Sequence, residues 1–284
     1  MTSAPDTSSI SFTALYTGQV WQRNGLSAPE FDSRQGKLLY HLLAPFEFIG
    51  GKLTGGNVRT FLLQRHYIID HLLERAIREE GMTQVLEIAC GLSPRGYRFH
   101  LEHPDVHYVE CDLPDMTARK RHLLNKLGSL DQHHQVDCIN IFSEGEDGLD
   151  AVIRKHFDTS KPLVVITEGL VNYFPLSEVD GFWQKLSGAL RHFPSALYLT
   201  DNYPLETSHP LYGTMSVLKG LLGAVSRSQA NFHFGSDKEA VEHVSAQGFR
   251  AVVVHDPRDY YLRLPIPRNR GVPLVRVIEA RTGG

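Results

Sequence analysis

Short runs of apolar, mostly β-branched residues recur along this chain, and stretches with helical spacing separate them. Residues 85–90, 107–111, 136–142, 163–167 and 196–200 read as five strands. Apolar runs this short, bounded by Gly, Asp or Pro, suit strands covered on both faces of a parallel sheet. Between them, residues 114–127 carry Met116, Leu123 and Leu127 inward. Residues 177–193 carry Val179, Phe182, Trp183, Leu186 and Leu190 on one stripe, with Ser177 and Asp180 in the pattern of a capping box. A further helix starts at Ser236, with Glu239 as its reciprocal cap, and ends at Gly248. Strands at 251–255 and 274–280 then bring the count to seven. Alternation of this kind points to an α/β fold, a mostly parallel, Rossmann-like sheet with helices on both faces.

Upstream of the first strand, residues 58–77 form a strong amphipathic pattern. Val58, Phe61, Leu62, Ile69, Leu72 and Ala76 share one face, and Arg65 falls on it. A guanidinium on an apolar face needs an anion, because burying it unpaired is expensive. That anion is either a ligand carboxylate or an internal Asp or Glu. Residues 1–57 are turn-rich, with short helical pieces at 12–20 and 36–48, and read as an N-terminal helical cap or lid. Residues 58–284 read as the main domain. Within it, residues 202–235 are rich in aromatics, Pro and Gly around an apolar helix near 215–225, as expected of a lid insertion.

Composition narrows the function. A formal net charge of -3 argues against a basic nucleic-acid binder. No apolar run approaches the roughly 18 residues of a membrane span, and the first residues lack the basic start and apolar stretch of a secretory signal. Three cysteines, Cys90, Cys111 and Cys138, are odd in number and widely spaced, which fits a reducing cytoplasm better than a disulfide framework. Histidine is in excess, with 15 residues, yet no HExxH or comparable spacing is present, so no metal is expected. A homodimer is compatible with all of this.

The chemistry gathers at the ends of the strands. In Val-Leu-Glu-Ile-Ala-Cys-Gly-Leu-Ser-Pro-Arg-Gly at 85–96, a strand carrying Glu87 runs into a small-residue turn at Ala89 and Gly91, and a helix opens near Pro94. Small residues let a ligand approach the backbone, and a helix start adds free amides. Asp112, at the end of the next strand, is placed to accept both hydroxyls of a ribose. The GxGxxG of a dinucleotide site fails at its first and last glycine, and no GxxxxGK[ST] occurs, so the expected ligand is a nucleoside without phosphates. In Ile-Thr-Glu-Gly-Leu-Val-Asn-Tyr-Phe at 166–174, Glu168 stands at a strand end where open α/β sheets bind ligands. Plain readings remain beside these: a tight strand-to-helix turn with an incidental acid, and a solvated strand end.

Three motifs occur in order: Gly-Leu-Ser-Pro-Arg-Gly-Tyr-Arg at 91–98, Val-Glu-Cys-Asp-Leu-Pro-Asp-Met at 109–116 followed by Lys120-Arg121, and Thr-Glu-Gly-Leu-Val-Asn-Tyr at 167–173. Together, over about residues 58–200, the chain resembles the leucine carboxyl methyltransferase family, including its bacterial tetracenomycin-type polyketide O-methyltransferases. The resemblance implies S-adenosyl-L-methionine as cofactor on a seven-stranded class I methyltransferase sheet, with S-adenosyl-L-homocysteine as product. It implies that Glu87, Ala89 and Gly91 line the cofactor turn, that Asp112 holds the ribose, and that Asn140 and Ile141 flank adenine. It also implies that Glu168 lies beside the methionine part and that Arg65 pairs with its carboxylate. The family turn usually reads Gly-Ala-Gly-Leu-Asp-Thr-Arg. This chain departs from it at Ala89 and Ser93-Pro94, and Asn140 replaces an acid.

The expected activity is O-methylation of a small molecule, a polyketide-like phenol or a carboxylic acid. A carboxylate acceptor needs no base, whereas a hydroxyl benefits from one. Candidates for that base are Tyr173, Asp201, Tyr203 and His209, each weighed against a plain packing role. Competing readings are a cofactor-binding sensor or pathway partner without catalysis, and an NAD(P)-dependent oxidoreductase.

Overall fold

The computed structural model describes residues 8–54, 57–204 and 231–283. Two long helices, α1 (Ser8–Arg23) and α2 (Arg34–Thr54), pack on each other and precede α3 (Val58–Glu80). They are longer than the pieces expected at 12–20 and 36–48. At its start α3 is capped by Asn57, whose side chain accepts from the Thr60 amide at 2.9 Å. It ends at Gly81, whose φ of 67° closes the helix in the left-handed region at no steric cost. Its apolar stripe buries Ile68, Ile69, Leu72, Leu73 and Ala76 against one face of the sheet.

The remaining elements alternate: β1 (Gln84–Ile88), α4 (Arg95–Glu102), β2 (His107–Asp112), α5 (Pro114–Lys126), β3 (His134–Cys138), α6 (Leu149–His156), β4 (Leu163–Thr167), α7 (Leu176–Leu190), β5 (Ala196–Asn202), α8 (Asp237–Ala246), β6 (Ala251–His255) and β7 (Arg276–Thr282). The seven strands lie in the order β3-β2-β1-β4-β5-β7-β6, with only β7 antiparallel to its neighbours. Chain direction across the sheet reverses between β1 and β4. Their connections leave to opposite sides there, which opens a crevice outside the carboxyl ends of the strands. Register makes that edge compact: Ile88 lies opposite Cys111 on one side and Thr167 on the other. The turn after β1, Asp112 and Glu168 therefore meet at one place. A large apolar cluster around Trp183, Leu186 and Tyr198 fills one face of the sheet, and the α3 stripe fills the other.

The structure corrects several local expectations. Strand β3 stops at Cys138 instead of running to 142, because Asn140 turns the chain: its carbonyl accepts from Ser143 N and its side chain from Phe142 N. Helix α7 has no Ser177–Asp180 box. Pro175 precedes its first residue, and no side chain caps it. In α8 Ser236 does accept from the Glu239 amide, but the Glu239 carboxylate reaches the Gly235 amide, one residue further back than the reciprocal pattern. On α5 the fully buried positions are Thr117, Lys120 and Leu124, while Leu123 and Leu127 are half-buried. The helix expected near 215–225 lies outside the described residues.

Candidate functional site

The turn after β1 holds two left-handed residues, Ala89 (φ 55°) and Gly91 (φ 51°), on either side of Cys90. A non-glycine residue with positive φ is unusual and is kept only where surrounding contacts impose it. Here the Cys90 amide donates to the Cys111 carbonyl, and the Gly91 amide donates to Asp112 Oδ2 at 2.7 Å. Asp112 Oδ1 accepts from its neighbour Leu113 N at 2.7 Å. Burial pushes the Asp112 carboxyl up from its ordinary range, and these two amides pull against that shift. Helix α1 closes over the turn. A Cβ on Gly91 would lie 3.4 Å from Ala14 Cβ, and one on Gly18 would lie 3.1 Å from Leu92 Cβ.

Beneath the turn lies a set of charges with almost no access to water. The Arg95 side chain, at the start of α4, is completely buried. It donates to Asp70 of α3 at 2.6 Å, to Glu87 of β1 at 2.6 Å and to Glu168 after β4 at 2.5 Å. Glu87 also accepts from the Tyr108 hydroxyl at 2.6 Å. Both oxygens of Glu87 are thus engaged, which makes it a brace between β1, β2 and α4. Arg65 is buried too. It donates to Glu168 Oε1 at 3.0 Å, Asp201 Oδ2 at 2.8 Å and the Tyr203 hydroxyl at 2.9 Å. Of the two anions open for Arg65, the structure supplies internal carboxylates, Glu168 and Asp201. Burial works against that guanidinium, and Asp201, Tyr203 and Glu168 more than compensate, holding its pKa well above the ordinary value. Burial likewise opposes ionisation of Glu168, yet His66, Arg95 and Arg65 hold its carboxyl well below the usual range.

Asp70 completes the set, paired with both Arg95 and Arg98. Burial would raise its pKa; His66, Arg98 and Arg95 bring it down to about 2 from an ordinary 3.8. A carboxyl depressed in the folded state stabilises the fold above its unfolded pKa, and that contribution is lost as pH falls through the folded pKa. From this residue roughly 2 kcal/mol should disappear between about pH 4 and pH 2. Unfolding free energies measured across that window check this: Asp70→Asn should give the flatter profile, and identical slopes would contradict the pairing.

A second buried pairing supports the turn from below. Lys120 of α5 pairs with Glu110 of β2 and donates to the Ser93 carbonyl, and His134 Nε2 lies 2.8 Å from Glu110 Oε1. Neither Lys120 nor Arg95 stood out as a site residue in the sequence. The only available signal was a charged residue on a helix face that otherwise buries apolar ones. Many histidines find the same use, as partners of carboxylates: His66 with Glu168, His103 with Glu74, His156 with Asp137, His243 with Asp180 and His255 with Glu279.

The candidate bases are placed as follows. Asp201 is fully buried, and its second oxygen accepts from Gly169 N at 2.6 Å. Both oxygens are thus engaged, one by Arg65 and one by the Gly169 amide. Burial raises Tyr173, whose hydroxyl bonds to Thr13 of α1, and raises Tyr203 further still. Neither is poised to give up its proton near neutral pH. His209 lies outside the described residues. Asn140 sits in the turn after β3, and Ile141 is buried in the large apolar cluster. Glu74, Glu102 and His103 bring three ligand-type atoms within 4.8 Å of one another, but His103 and Glu74 already pair there. No described helix is long and apolar enough to cross a membrane.

Comparison with known proteins agrees with this architecture. The family model described as leucine carboxyl methyltransferase matches residues 44–186. A candidate S-adenosyl-L-methionine-dependent methyltransferase of Mycolicibacterium paratuberculosis is 28% identical over 153 residues, which cover 54% of this chain and 49% of that protein. Leucine carboxyl methyltransferase 1 of Eremothecium gossypii is 26% identical over 130 residues, 37% of this chain and 39% of that protein. The chain thus spans about half the length, or less, of the curated relatives it matches. Among solved structures, a candidate methyltransferase of Thermobifida fusca superposes with a TM-score of 0.67 at 15% identity, covering 95% of this chain and 94% of that one. That likeness is one of fold.

Proposed function

From a chain that belongs to the leucine carboxyl methyltransferase family, we propose S-adenosyl-L-methionine-dependent O-methylation of a small molecule. The observation that carries this reading is Asp112. It stands at the end of β2, and one of its carboxylate oxygens accepts the amide of the β1 turn. A carboxylate has about four acceptor positions. Gly91 N and Leu113 N occupy two, and the others suit the paired hydroxyls of a ribose, so the donor set fits the cofactor's nucleoside. Ala89 and Gly91 would form the backbone wall against it. Asn140, whose side-chain oxygen keeps a lone pair beyond its bond to Phe142 N, would face the base. Glu168 fits differently. Clamped by Arg65, Arg95 and His66, it is a fixed carboxylate at the crevice edge and not a free ligand-seeking one. Arg65 is not proposed as the partner of the methionine carboxylate.

When bound, the cofactor supplies an electrophilic methyl group on a sulfonium. The chain's part is to hold an oxygen nucleophile in line with it and to keep water out, and positioning of this kind supplies much of the acceleration in displacement reactions. Packing of Ala14 and Gly18 of α1 over the turn serves the second purpose. The rigid Arg95–Glu168–Arg65 set serves the first, because it fixes the ends of β1, β4 and β5 relative to one another.

Calorimetric titration with S-adenosylmethionine, S-adenosylhomocysteine and NAD(P) tests the reading. Binding of the two sulfur nucleosides is expected, and binding of NAD(P) alone would overturn it. Asp112→Ala should weaken S-adenosylhomocysteine binding by about 1–3 kcal/mol, the scale of hydrogen bonds lost in a buried polar site. Unchanged affinity would refute the ribose assignment.

A further inference from the structure

Helix α5 packs against β2 and β3, and two polar residues on one of its faces reach both segments that would hold the nucleoside. Thr117 and Lys120 stand one turn apart, and each is 0% exposed. The Thr117 hydroxyl donates to the Asp112 carbonyl at 2.9 Å, at the end of β2. The Lys120 ammonium donates to the Ser93 carbonyl, in the turn after β1. It also meets Glu110 of β2 and the ring of Phe31, whose centroid lies 5.7 Å from Nζ, so its three donors have partners. Neither side chain has a donor left for a ligand. Both act on backbone carbonyls, one in each segment.

A buried ion pair is often no more stabilising than apolar residues of the same volume. Cohesion alone therefore does not account for Lys120 and Glu110 at this place. What Lys120 and Thr117 add is direction. The Asp112 carboxylate and the Gly91 amide that it accepts belong to segments 21 residues apart along the chain. A ligand that lies against both is held only when their separation is right, and binding sites need their groups within about 0.5 Å of the productive geometry. One helix, through residues a turn apart, fixes a carbonyl in each segment. Resting on the cofactor reading above, we infer that Thr117 and Lys120 are positioning residues for the cofactor. They set the β1 turn and Asp112 at the separation that the ribose requires, without touching it. The part of Glu110 is to balance the charge of the ammonium.

The test reads two quantities on the full chain, the urea midpoint and the affinity for S-adenosylhomocysteine by calorimetry. Lys120→Met should lower the midpoint, because it leaves Glu110 buried without its cation. Adding Glu110→Gln should restore most of that loss, since the pair is then neutral. Affinity should fall about tenfold in Lys120→Met, the scale of one charge-assisted hydrogen bond. It should stay low in the double variant, because the Ser93 carbonyl still lacks its donor. Thr117→Val, which keeps the shape and changes no charge, should weaken binding about threefold or more. Affinity that returns with stability in the double variant would make Lys120 a structural residue only and overturn the proposal. Unchanged affinity in Lys120→Met or in Thr117→Val would do the same. If neither charge variant folds, Thr117→Val decides by itself. The unaltered protein is titrated first, so a lack of binding there strikes the cofactor reading and not the positioning role.

Discussion

Replacing Arg95 with methionine should lower the unfolding free energy by about 3–5 kcal/mol, the range for removing one partner from a buried ion pair. The reason lies in how many elements this one side chain joins. Its guanidinium touches Asp70 on α3, Glu87 on β1 and Glu168 after β4, and all three carboxylates are largely or wholly shielded from water. Methionine fills a similar volume without charge, so the packing survives and the acids lose a counterion. Arg98 and Arg65 still face Asp70 and Glu168, but Glu87 keeps only the Tyr108 hydroxyl. Arg95→Lys should recover little, since an ammonium is a point donor and does not span three carboxylates set around a planar fork. Urea unfolding of the three proteins measures this. A loss below about 1 kcal/mol for Arg95→Met, the scale of an exposed pair, would mean that the set is solvated and not the clamp described above.

The next residue gives the second large effect, with a sign opposite to the helical rule. Gly96 lies in the first turn of α4, where Ala is ordinarily favoured over Gly by about 1 kcal/mol. A Cβ there, however, would fall 2.8 Å from Glu110 Cγ and nearer still to its carboxyl. The far end of a flexible side chain would normally yield. Glu110 is pinned by Lys120 on one side and His134 on the other, in a place without water. Gly96→Ala should therefore destabilise by about 2 kcal/mol net, overpacking of about 1–3 kcal/mol being offset in part by the helical preference. Thermal or urea unfolding reads it directly, and any stabilisation would show that Glu110 has room to move.

These two positions show where sequence reading succeeds and where it stops. The five parallel strands were legible because buried β-structure demands unbroken apolar runs, and 163–167 was located to the residue; the half-exposed edge strand at 251–255 was located as well, from its run of three valines. The stripe of α7 was equally plain, since Val179, Phe182, Trp183, Leu186 and Leu190 repeat with the helical period. Local hydrogen-bond competition was harder to read. Asn140 ended β3 four residues early through bonds that depend on the loop it enters. The Ser177–Asp180 pattern has the composition of a cap, but Pro175 sets the start of the helix without one. The position of Asp112 at a strand end followed from the alternation, whereas its bond to the Gly91 amide required the turn's left-handed geometry at Ala89 and Gly91.

By itself, the sequence determined the fold class, the strand ends where polar residues gather, and the family, because periodicity and ordered motifs are properties of contiguous segments. It also showed that Arg65 must meet an anion. Only the tertiary structure decided which one. Glu168 and Asp201 are 103 and 136 residues away along the chain, and the sheet brings both against α3. The same holds for Glu87, whose partners Arg95 and Tyr108 lie on other elements. Charge pairing and hydrogen-bond satisfaction depend on distance in space, and a long-range fold sets those distances independently of spacing along the chain.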